Sequence, residues 1–165
     1  MLTSVHMRAL PLLFVAACSG QATPPTHAPF HVVAVGTQEA LPQLISGFHE
    51  IKDFWRWTAG SFVVELGVPV EPYPRAVVLT LDGSYPEVSW RHHGPASLQC
   101  AVGDAQLAPE QVSAVGSVHM ERDLPSIPKS ATVRVACTIT PTIPPSSTDA
   151  REYGLAVSLI GLRAR

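Results

Sequence analysis

The feature that most constrains the fold is a two-residue alternation of apolar and polar side chains, which recurs in short segments separated by glycine and proline. It is clearest over residues 131–139, where Val133, Val135, Cys137 and Ile139 alternate with polar or small residues. Successive side chains of a β-strand point to opposite faces, so this period indicates strands with one buried face. No long helical period interrupts the pattern after residue 47, and the sequence therefore predicts an all-β protein.

Further strands are predicted over residues 30–35, 62–66, 76–81, 88–91, 97–102, 112–120 and 153–162. We expect Asp82-Gly83 to form a turn, Gly103-Asp104 to form the corner of a hairpin, and residues 38–46 to hold at most one helical turn before Pro42 interrupts it. About eight or nine such strands favour two packed antiparallel sheets, a β-sandwich of jelly-roll or immunoglobulin-like type. A closed barrel is the alternative.

The N-terminal segment has the arrangement of an export signal. Residues 1–8 contain one fixed positive side chain, Arg8, and residues 9–17 form an almost unbroken apolar run that ends in small residues. The run is too short to span a bilayer, which takes about 20 apolar residues.

The residues Val15-Ala16-Ala17-Cys18 resemble the lipobox of bacterial lipoproteins. This resemblance implies that residues 1–17 are a signal peptide that is removed and that Cys18 carries a lipid holding the protein to a membrane of the cell envelope. Ser19 resembles the residue found in lipoproteins sent to the outer membrane, in cells that have two membranes. An ordinary cleaved signal with an incidental cysteine is the alternative.

The rest of the chain is expected to be a tether and one domain. Residues 18–29 contain three prolines and no apolar period, which predicts a flexible tether before a β-sandwich over residues 30–165. Without residues 1–17 the chain holds ten Lys and Arg against thirteen Asp and Glu, since Arg8 leaves with the signal. Nucleic acid requires concentrated positive charge, so no nucleic-acid partner is expected.

Two further cysteines follow Cys18, and export would place them in a compartment where disulfides persist. Cys100 is in phase with Leu98 and Val102, and Cys137 is in phase with Val135 and Ile139, so both should point into the core. A disulfide between them is predicted, which would close a loop of about 38 residues and add about 4 kcal/mol; two buried free thiols are the alternative.

Three segments, Phe48-His49-Glu50, residues 54–58 and residues 149–157, resemble a β-sandwich module found in some bacterial proteins of surface-polysaccharide biology. The resemblance implies a sandwich like that of carbohydrate-binding modules, and it transfers no catalytic residue. Trp55, Trp57 and Trp90 are the candidates for sugar contact, because a flat aromatic face stacks on the C–H face of a pyranose. The simpler explanation is that the tryptophans belong to the core.

Polar side chains beside these segments are the candidates for hydrogen bonding to a ligand. Glu50 and Arg151 would form a cluster with Arg56 and Asp149 if the first and last strands of the sheet meet. A structural ion pair is the simpler explanation here too, since breaking a buried pair costs about 3–5 kcal/mol.

Motifs for catalysis and metal binding are weak. His49-Glu50-Ile51-Lys52-Asp53 begins like a zinc-protease motif but has Asp53 where the second histidine is required, and His92-His93 are expected at a loop tip. A zinc site at His49 or His119, and paired carboxylates for glycoside hydrolysis, stay open as alternatives. No cofactor or metal is expected.

These observations favour a membrane-anchored envelope lipoprotein with a non-catalytic sandwich that binds glycan or another envelope component. The alternatives are a structural or assembly lipoprotein that contacts envelope proteins, and a small hydrolase.

The lipobox resemblance makes a direct prediction for Cys18→Ser, which removes the sulfur that would carry the lipid. Two or more acyl chains hold a protein stably at a bilayer, so the variant should move from the membrane fraction to the soluble fraction. Fractionation followed by immunoblotting measures this. Unchanged membrane partition of the variant would rule out the anchor.

Overall fold

The structure is a computed structural model that describes residues 28–71 and 75–165. The predicted signal peptide, Cys18 and the predicted tether as far as residue 27 lie outside the described residues. Within the described ranges, no helix has the length and apolar character needed to cross a membrane.

The described residues form ten strands, one short α-helix and one turn of 3-10 helix over Leu41–Gln43. The elements are β1 (Val32–Ala34), β2 (Leu44–Lys52), β3 (Trp55–Gly67), β4 (Val77–Tyr85), α1 (Glu87–His93), β5 (Ala96–Val102), β6 (Ala105–Gln106), β7 (Glu110–Val112), β8 (Gly116–Asp123), β9 (Thr132–Thr140) and β10 (Ala156–Ala164).

All strand pairs are antiparallel, and one hydrogen-bonded path runs β6-β5-β9-β3-β10-β4-β8. Outside this path, β1 pairs with β10, β2 with β3, and β7 with β5. The first part of β3 pairs with β10 at Trp57 and Ala156, whereas Ser61 to Gly67 of the same strand pair with β9. The strand β3 therefore joins two halves of one sheet.

Buried side chains from both halves pack into a single core. Leu81 and Ile160 come from one half, and Leu98 and Val135 come from the other. The predicted all-β antiparallel sandwich is confirmed, with the addition that its two layers are parts of one curled sheet. Among the described residues, the end strands β6 and β8 do not pair with each other, so the sheet is not a closed barrel.

The disulfide is present. Cys100 of β5 and Cys137 of β9 are direct neighbours in the register of the sheet and are joined by a bond of 2.06 Å. Both side chains are buried, as the phase of the alternation predicts. The alternative of two free thiols is wrong.

The prediction of a turn at Asp82-Gly83 is wrong. Both residues lie inside β4, where they pair with His119 and Val118 of β8. Glycine is needed there for close packing: a Cβ on Gly83 would lie 2.5 Å from the carbonyl oxygen of Ala156. Glycine in a strand often marks such a close approach of a second backbone.

The strand predicted over residues 88–91 is wrong, because this segment is the helix α1. The residues at the two ends of α1 are ones that typically begin and end a helix. Pro86 stands at the N-cap, and Gly94, with φ of 72°, ends the helix by donating its N–H to the Trp90 carbonyl at 2.7 Å. Proline at the start and glycine after the end are typical of helices.

Three other boundaries differ from prediction. The strand predicted over 112–120 is divided into β7 and β8 by the chain reversal that ends at Gly116, whose φ is 113°. The last strand begins at Ala156, three residues later than predicted, because Tyr153 instead forms an isolated bridge with Ile143. Pro42 lies inside the short 3-10 turn and does not interrupt it.

The disulfide predicts the effect of removing it. The double variant Cys100→Ala/Cys137→Ala should lose about 4 kcal/mol of unfolding free energy, because the unfolded chain regains the entropy of an open loop. Urea unfolding followed by circular dichroism measures this loss. In reductant, the urea midpoint of the wild type should fall toward that of the variant. Equal midpoints of the oxidised wild type and the variant would contradict the account.

Candidate functional site

A groove of about 660 Å³ crosses the outer face of four adjacent strands, β3, β10, β4 and β8. We call it the outer groove. Its volume lies within the range of sites for small ligands. Three strand spacings separate β3 from β8, so the groove is about 14 Å wide from one side to the other.

One side of the groove is an aromatic wall formed by Phe54, Trp55 and Trp57. Alternation along β3 sends Arg56 and Thr58 into the interior and leaves both tryptophans partly exposed on the outer face. The indole rings have centroids 5.8 Å apart and planes inclined at 76°. They therefore form a corner rather than one flat platform.

Phe54 reaches the groove from the turn between β2 and β3. Lys52 pairs with Trp55, so Asp53 and Phe54 are the two residues of a tight hairpin turn. Asp53 has φ of 55°, a conformation that aspartate adopts more readily than most residues. The Phe54 side chain is 73% exposed, which is unusual for a phenylalanine.

The opposite side of the groove is a polar wall formed by Asp82, Ser84, Ser117, His119 and Ser158. His119 donates from Nδ1 to the Asp82 carboxylate at 2.5 Å. Among the described residues, no other hydrogen bond reaches the Asp82 carboxylate or the His119 ring. Both side chains are open to water, with exposed fractions of 40% and 62%. Their remaining polar atoms are therefore available to a ligand.

An irregularity in β10 helps to build the polar wall. The register of β10 against β4 shifts between Val157 and Leu159, so Ser158 lies at a bulge. The Ser158 hydroxyl donates to the backbone carbonyl of Asp82 at 3.1 Å. Bulges are common beside sites because they redirect one side chain without breaking the sheet.

A second group, which we call the arginine cluster, contains Glu50, Asp149, Arg151 and Tyr153. Arg151 donates to Glu50 at 2.8 Å and to both oxygens of Asp149 at 2.8 and 2.9 Å. Its guanidinium carbon lies 5.3 Å from the centre of the Tyr153 ring. That ring packs edge-to-face on Trp57, with ring centroids 5.2 Å apart, so the cluster is in contact with the aromatic wall.

The hydrogen bonds and charges in this cluster stabilise the ionised forms of Asp149 and Arg151. Hydrogen bonds from Arg151 and Tyr153 hold the pKa of Asp149 well below its usual range, and Asp149 raises the pKa of Arg151. Desolvation, with the hydrogen bond to Asp149, raises the pKa of Tyr153. Asp149 therefore remains ionised through the physiological range and holds Arg151, whose bond to Glu50 attaches the loop to β2.

Glu152 attaches the same loop to β3. Its carboxylate accepts hydrogen bonds from the Thr142 hydroxyl at 2.6 Å and from the Gly60 N–H at 2.9 Å. These bonds, with the Thr142 bond the largest cause, lower the pKa of the carboxyl. His49 donates from Nε2 to the Glu152 carbonyl at 2.7 Å, which occupies that nitrogen.

Two residues of the predicted constellations lie elsewhere. Trp90 is in α1 and packs partly buried against the core, outside the residues that line the outer groove.

Arg56 does not join Glu50, Asp149 and Arg151, and this part of the prediction is wrong. Arg56 faces inward and donates to the carbonyls of Val35 and His49 at 2.9 and 3.0 Å. Its strand alternates, so it cannot share a face with Trp55 and Trp57.

Asp82 and His119 are the acidic and imidazole side chains among the described residues that line the groove. Asp82 is the one carboxylate among the described lining residues, whereas glycoside hydrolysis ordinarily uses a pair. Over residues 28–71 and 75–165, no three His, Cys, Asp or Glu side chains are grouped to hold a metal ion. His119 is bonded to Asp82, and the His92 and His93 rings lie in the last turn of α1, with centroids 5.7 Å apart.

Sequence reasoning missed the polar wall. Asp82 was assigned to a turn, and residues 77–81 are buried on both faces, so β4 shows no alternation that would reveal an outer side. A signal for His119 did exist, since it alternates with the buried Val118 and Met120. Phe54 lies in residues 54–58, which resemble the β-sandwich module, but no pattern in the sequence marks it as a site residue.

The fold and groove define an all-β antiparallel sandwich with a partly aromatic outer groove. No family model and no curated protein matches the chain. Solved structures do show similarity. Dimeric latent PorU from Porphyromonas gingivalis aligns over 64% of this chain with 7% identity and a TM-score of 0.44. BtGH115A, a family GH115 4-O-methyl-α-glucuronidase with specificity for decorated arabinogalactans, aligns over 73% with 10% identity and a TM-score of 0.42.

A third similar structure is TmCBM61 in complex with β-1,4-galactotriose, which aligns over 81% of both chains with 12% identity and a TM-score of 0.38. The aligned part is 10% of the PorU chain and 16% of the glucuronidase chain. Identities and TM-scores this low describe a similar path of the backbone and assign no ligand to this chain.

The bonds at Glu152 predict a pH-dependent contribution to stability. A lowered carboxyl pKa contributes stability above the ordinary value of 4.5, and this contribution is lost as the pH falls through the folded value. Glu152→Gln should therefore lower the free energy of unfolding by about 1 kcal/mol at neutral pH, and less below about pH 4. Thermal unfolding across this range, with exposed Glu71→Gln as the control, measures the difference. A deficit that grows in acid would contradict the assignment.

Proposed function

We propose that this chain is a non-catalytic glycan-binding protein of the cell envelope, held to a membrane by lipid on Cys18, and that the outer groove receives the glycan. The observation that carries the proposal is the pairing of an aromatic wall with a polar wall across one open groove. Sugar rings have an apolar C–H face and a hydroxyl edge. A site with aromatic faces on one side and a few placed polar groups on the other matches both features.

The exposure of the aromatic wall supports binding over a purely structural role. Trp55 and Trp57 retain exposed surface on the outer face of β3, and Phe54 is more exposed than either. A folded chain gains nothing in stability from leaving large aromatic surface in water, since burial of apolar area stabilises by about 25 cal/mol per Å². Exposed apolar surface with polar neighbours is typical of interaction sites.

The groups around the groove favour binding without turnover. Hydrolysis of a glycosidic bond would need a second carboxylate, and Asp82 stands alone among the described residues of the groove. The Asp149 carboxylate is bonded to Arg151 of its own loop and the Glu152 carboxylate to Gly60 of β3, and both residues lie outside the groove lining. The arginine cluster, which includes Glu50 and Arg151, also lies outside the groove lining. Its proposed role is to hold the aromatic wall in place, and it does not contact the glycan.

The alternative of a structural lipoprotein that docks through a sheet edge has less support. The edge strand β8 carries charged or polar outward residues, including His119, Glu121 and Asp123. Arg122 of that strand binds the carbonyls of Ala108 and Pro109 at 3.0 Å, which brings another segment against the edge. Charged side chains and covering segments protect an edge from pairing with another chain.

The proposal predicts the effect of truncating the aromatic wall. Trp55→Ala and Trp57→Ala should each weaken glycan binding by about 2 kcal/mol, or about 30-fold, because aromatic anchors supply most of the energy of such sites. Binding is measured first on an array of bacterial envelope and plant-type glycans that includes β-1,4-galactotriose, and then by calorimetry on the glycans retained.

Phe30→Ala serves as the matched control, because Phe30 is 51% exposed and lies outside the groove. Circular dichroism must show that each variant is folded. The proposal fails if the wild type retains no glycan, or if folded Trp55→Ala and Trp57→Ala variants bind as tightly as the control.

A further inference from the structure

The polar wall of the outer groove also restricts the chemical class of its ligand. This inference rests on the proposed function and asks which glycans the groove accepts. Asp82 and His119 lie side by side on β4 and β8, as direct partners in the register. Their mutual hydrogen bond determines which of their atoms face a ligand and with what polarity.

The Asp82–His119 bond leaves hydrogen-bond acceptors exposed. A carboxylate only accepts, so the proton of this bond belongs to His119 Nδ1. In a neutral imidazole with the proton on Nδ1, Nε2 is an acceptor. No described residue donates to Asp82 Oδ2 or to His119 Nε2. With a neutral imidazole, the pair therefore presents two unoccupied acceptors at the polar wall, Asp82 Oδ2 and His119 Nε2.

The rest of the lining adds no positive charge. The described residues of the groove include no lysine and no arginine, and the hydroxyl groups on the same wall as Asp82 belong to serines. The Ser158 hydroxyl is already bonded to the Asp82 carbonyl. Arg151 of the arginine cluster lies outside the groove lining and is paired with Asp149 and Glu50.

We infer that the outer groove binds uncharged glycans, whose hydroxyl groups donate to Asp82 and His119, and that it rejects glycans carrying carboxylate or phosphate groups at the same positions. An uncharged sugar supplies several hydroxyl donors to unoccupied acceptors. A carboxylate or phosphate supplies acceptors only, so it leaves those atoms without partners and meets the negative charge of Asp82 at short range. Asp82 is thus a specificity-determining residue, and His119 orients it.

The test compares matched pairs of sugars that differ in one group. Cellotriose, mannotriose and β-1,4-galactotriose are each measured beside the form in which the C6 primary alcohols are oxidised to carboxylates. Measurements are made at about pH 8, above the range in which imidazoles ordinarily take up a proton. Any neutral member that binds should bind at least about tenfold more tightly than its oxidised form, which corresponds to about 1.4 kcal/mol.

Asp82→Asn identifies the cause of the difference. The substitution keeps the shape of the side chain, removes its charge and adds an N–H donor, so the gap between neutral and oxidised forms should narrow by about tenfold. Asp104→Asn is the matched control, since Asp104 lies in the turn between β5 and β6, outside the groove. Asp82→Ser, which also removes the charge, supplies a second variant at the same position if Asp82→Asn does not fold.

The outcomes separate this inference from the function on which it rests. Oxidised sugars that bind as tightly as their neutral forms would overturn the inference while leaving glycan binding intact. The same conclusion follows if Asp82→Asn, or Asp82→Ser in its place, leaves the ratio of the two affinities unchanged. Binding of neither form, across the whole set and the array, would overturn the glycan-binding function and the inference with it.

Discussion

The alternation of side chains along β3 is the constraint on which the structure depends. This strand is thirteen residues long and contributes to both halves of the sheet, through β10 at its start and β9 at its end. Phe62, Val64 and Leu66 face the core, while Trp55 and Trp57 face outward. A shift of one residue in register would exchange these faces, because the side-chain period of a strand is two. The core and the aromatic wall are therefore two consequences of one register.

The supports around β3 hold this register at several points. The disulfide joins β5 to β9, the strand that pairs with the second half of β3. Glu152 binds the backbone of Gly60, and the arginine cluster holds Tyr153 against Trp57. Each support is a local bond, but together they connect the loop before β10 to the strand that carries the tryptophans. The groove is thus built on rigid strands, which lowers the conformational entropy lost when a ligand binds.

The groove divides its chemistry between its two sides. Aromatic faces supply apolar contact without a strong requirement on sugar identity, whereas Asp82 and His119 supply direction and charge. Specificity is a difference between affinities, and an unpaired charge is an effective way to exclude a competitor. A single carboxylate can therefore select among ligands that the tryptophans alone would accept.

Sequence reasoning succeeded where alternation was visible and failed where tertiary structure concealed it. The period in β9 predicted the strand, its buried face and the disulfide with Cys100. The segment around Trp55 and Trp57 predicted half of the groove. The other half is formed by β4, whose two buried faces removed the periodic signal, and by a bulge at Ser158 that no local pattern marks. The segment of α1 was predicted as a strand because its residues show no helical period. Its capping residues, Pro86 and Gly94, are the signals that indicate a helix.

The central claim is that a ligand enters on the outer face of β3, and the three tryptophans of the chain report on it separately. Indole N–H signals in ¹⁵N NMR spectra, followed during titration with a neutral glycan retained on the array, test this most directly. The account predicts shifts of the Trp55 and Trp57 signals and an unchanged Trp90 signal, because Trp90 packs on the core away from the groove. A shift of Trp90 alone, or saturation of the protein with no shift of Trp55 or Trp57, would contradict it.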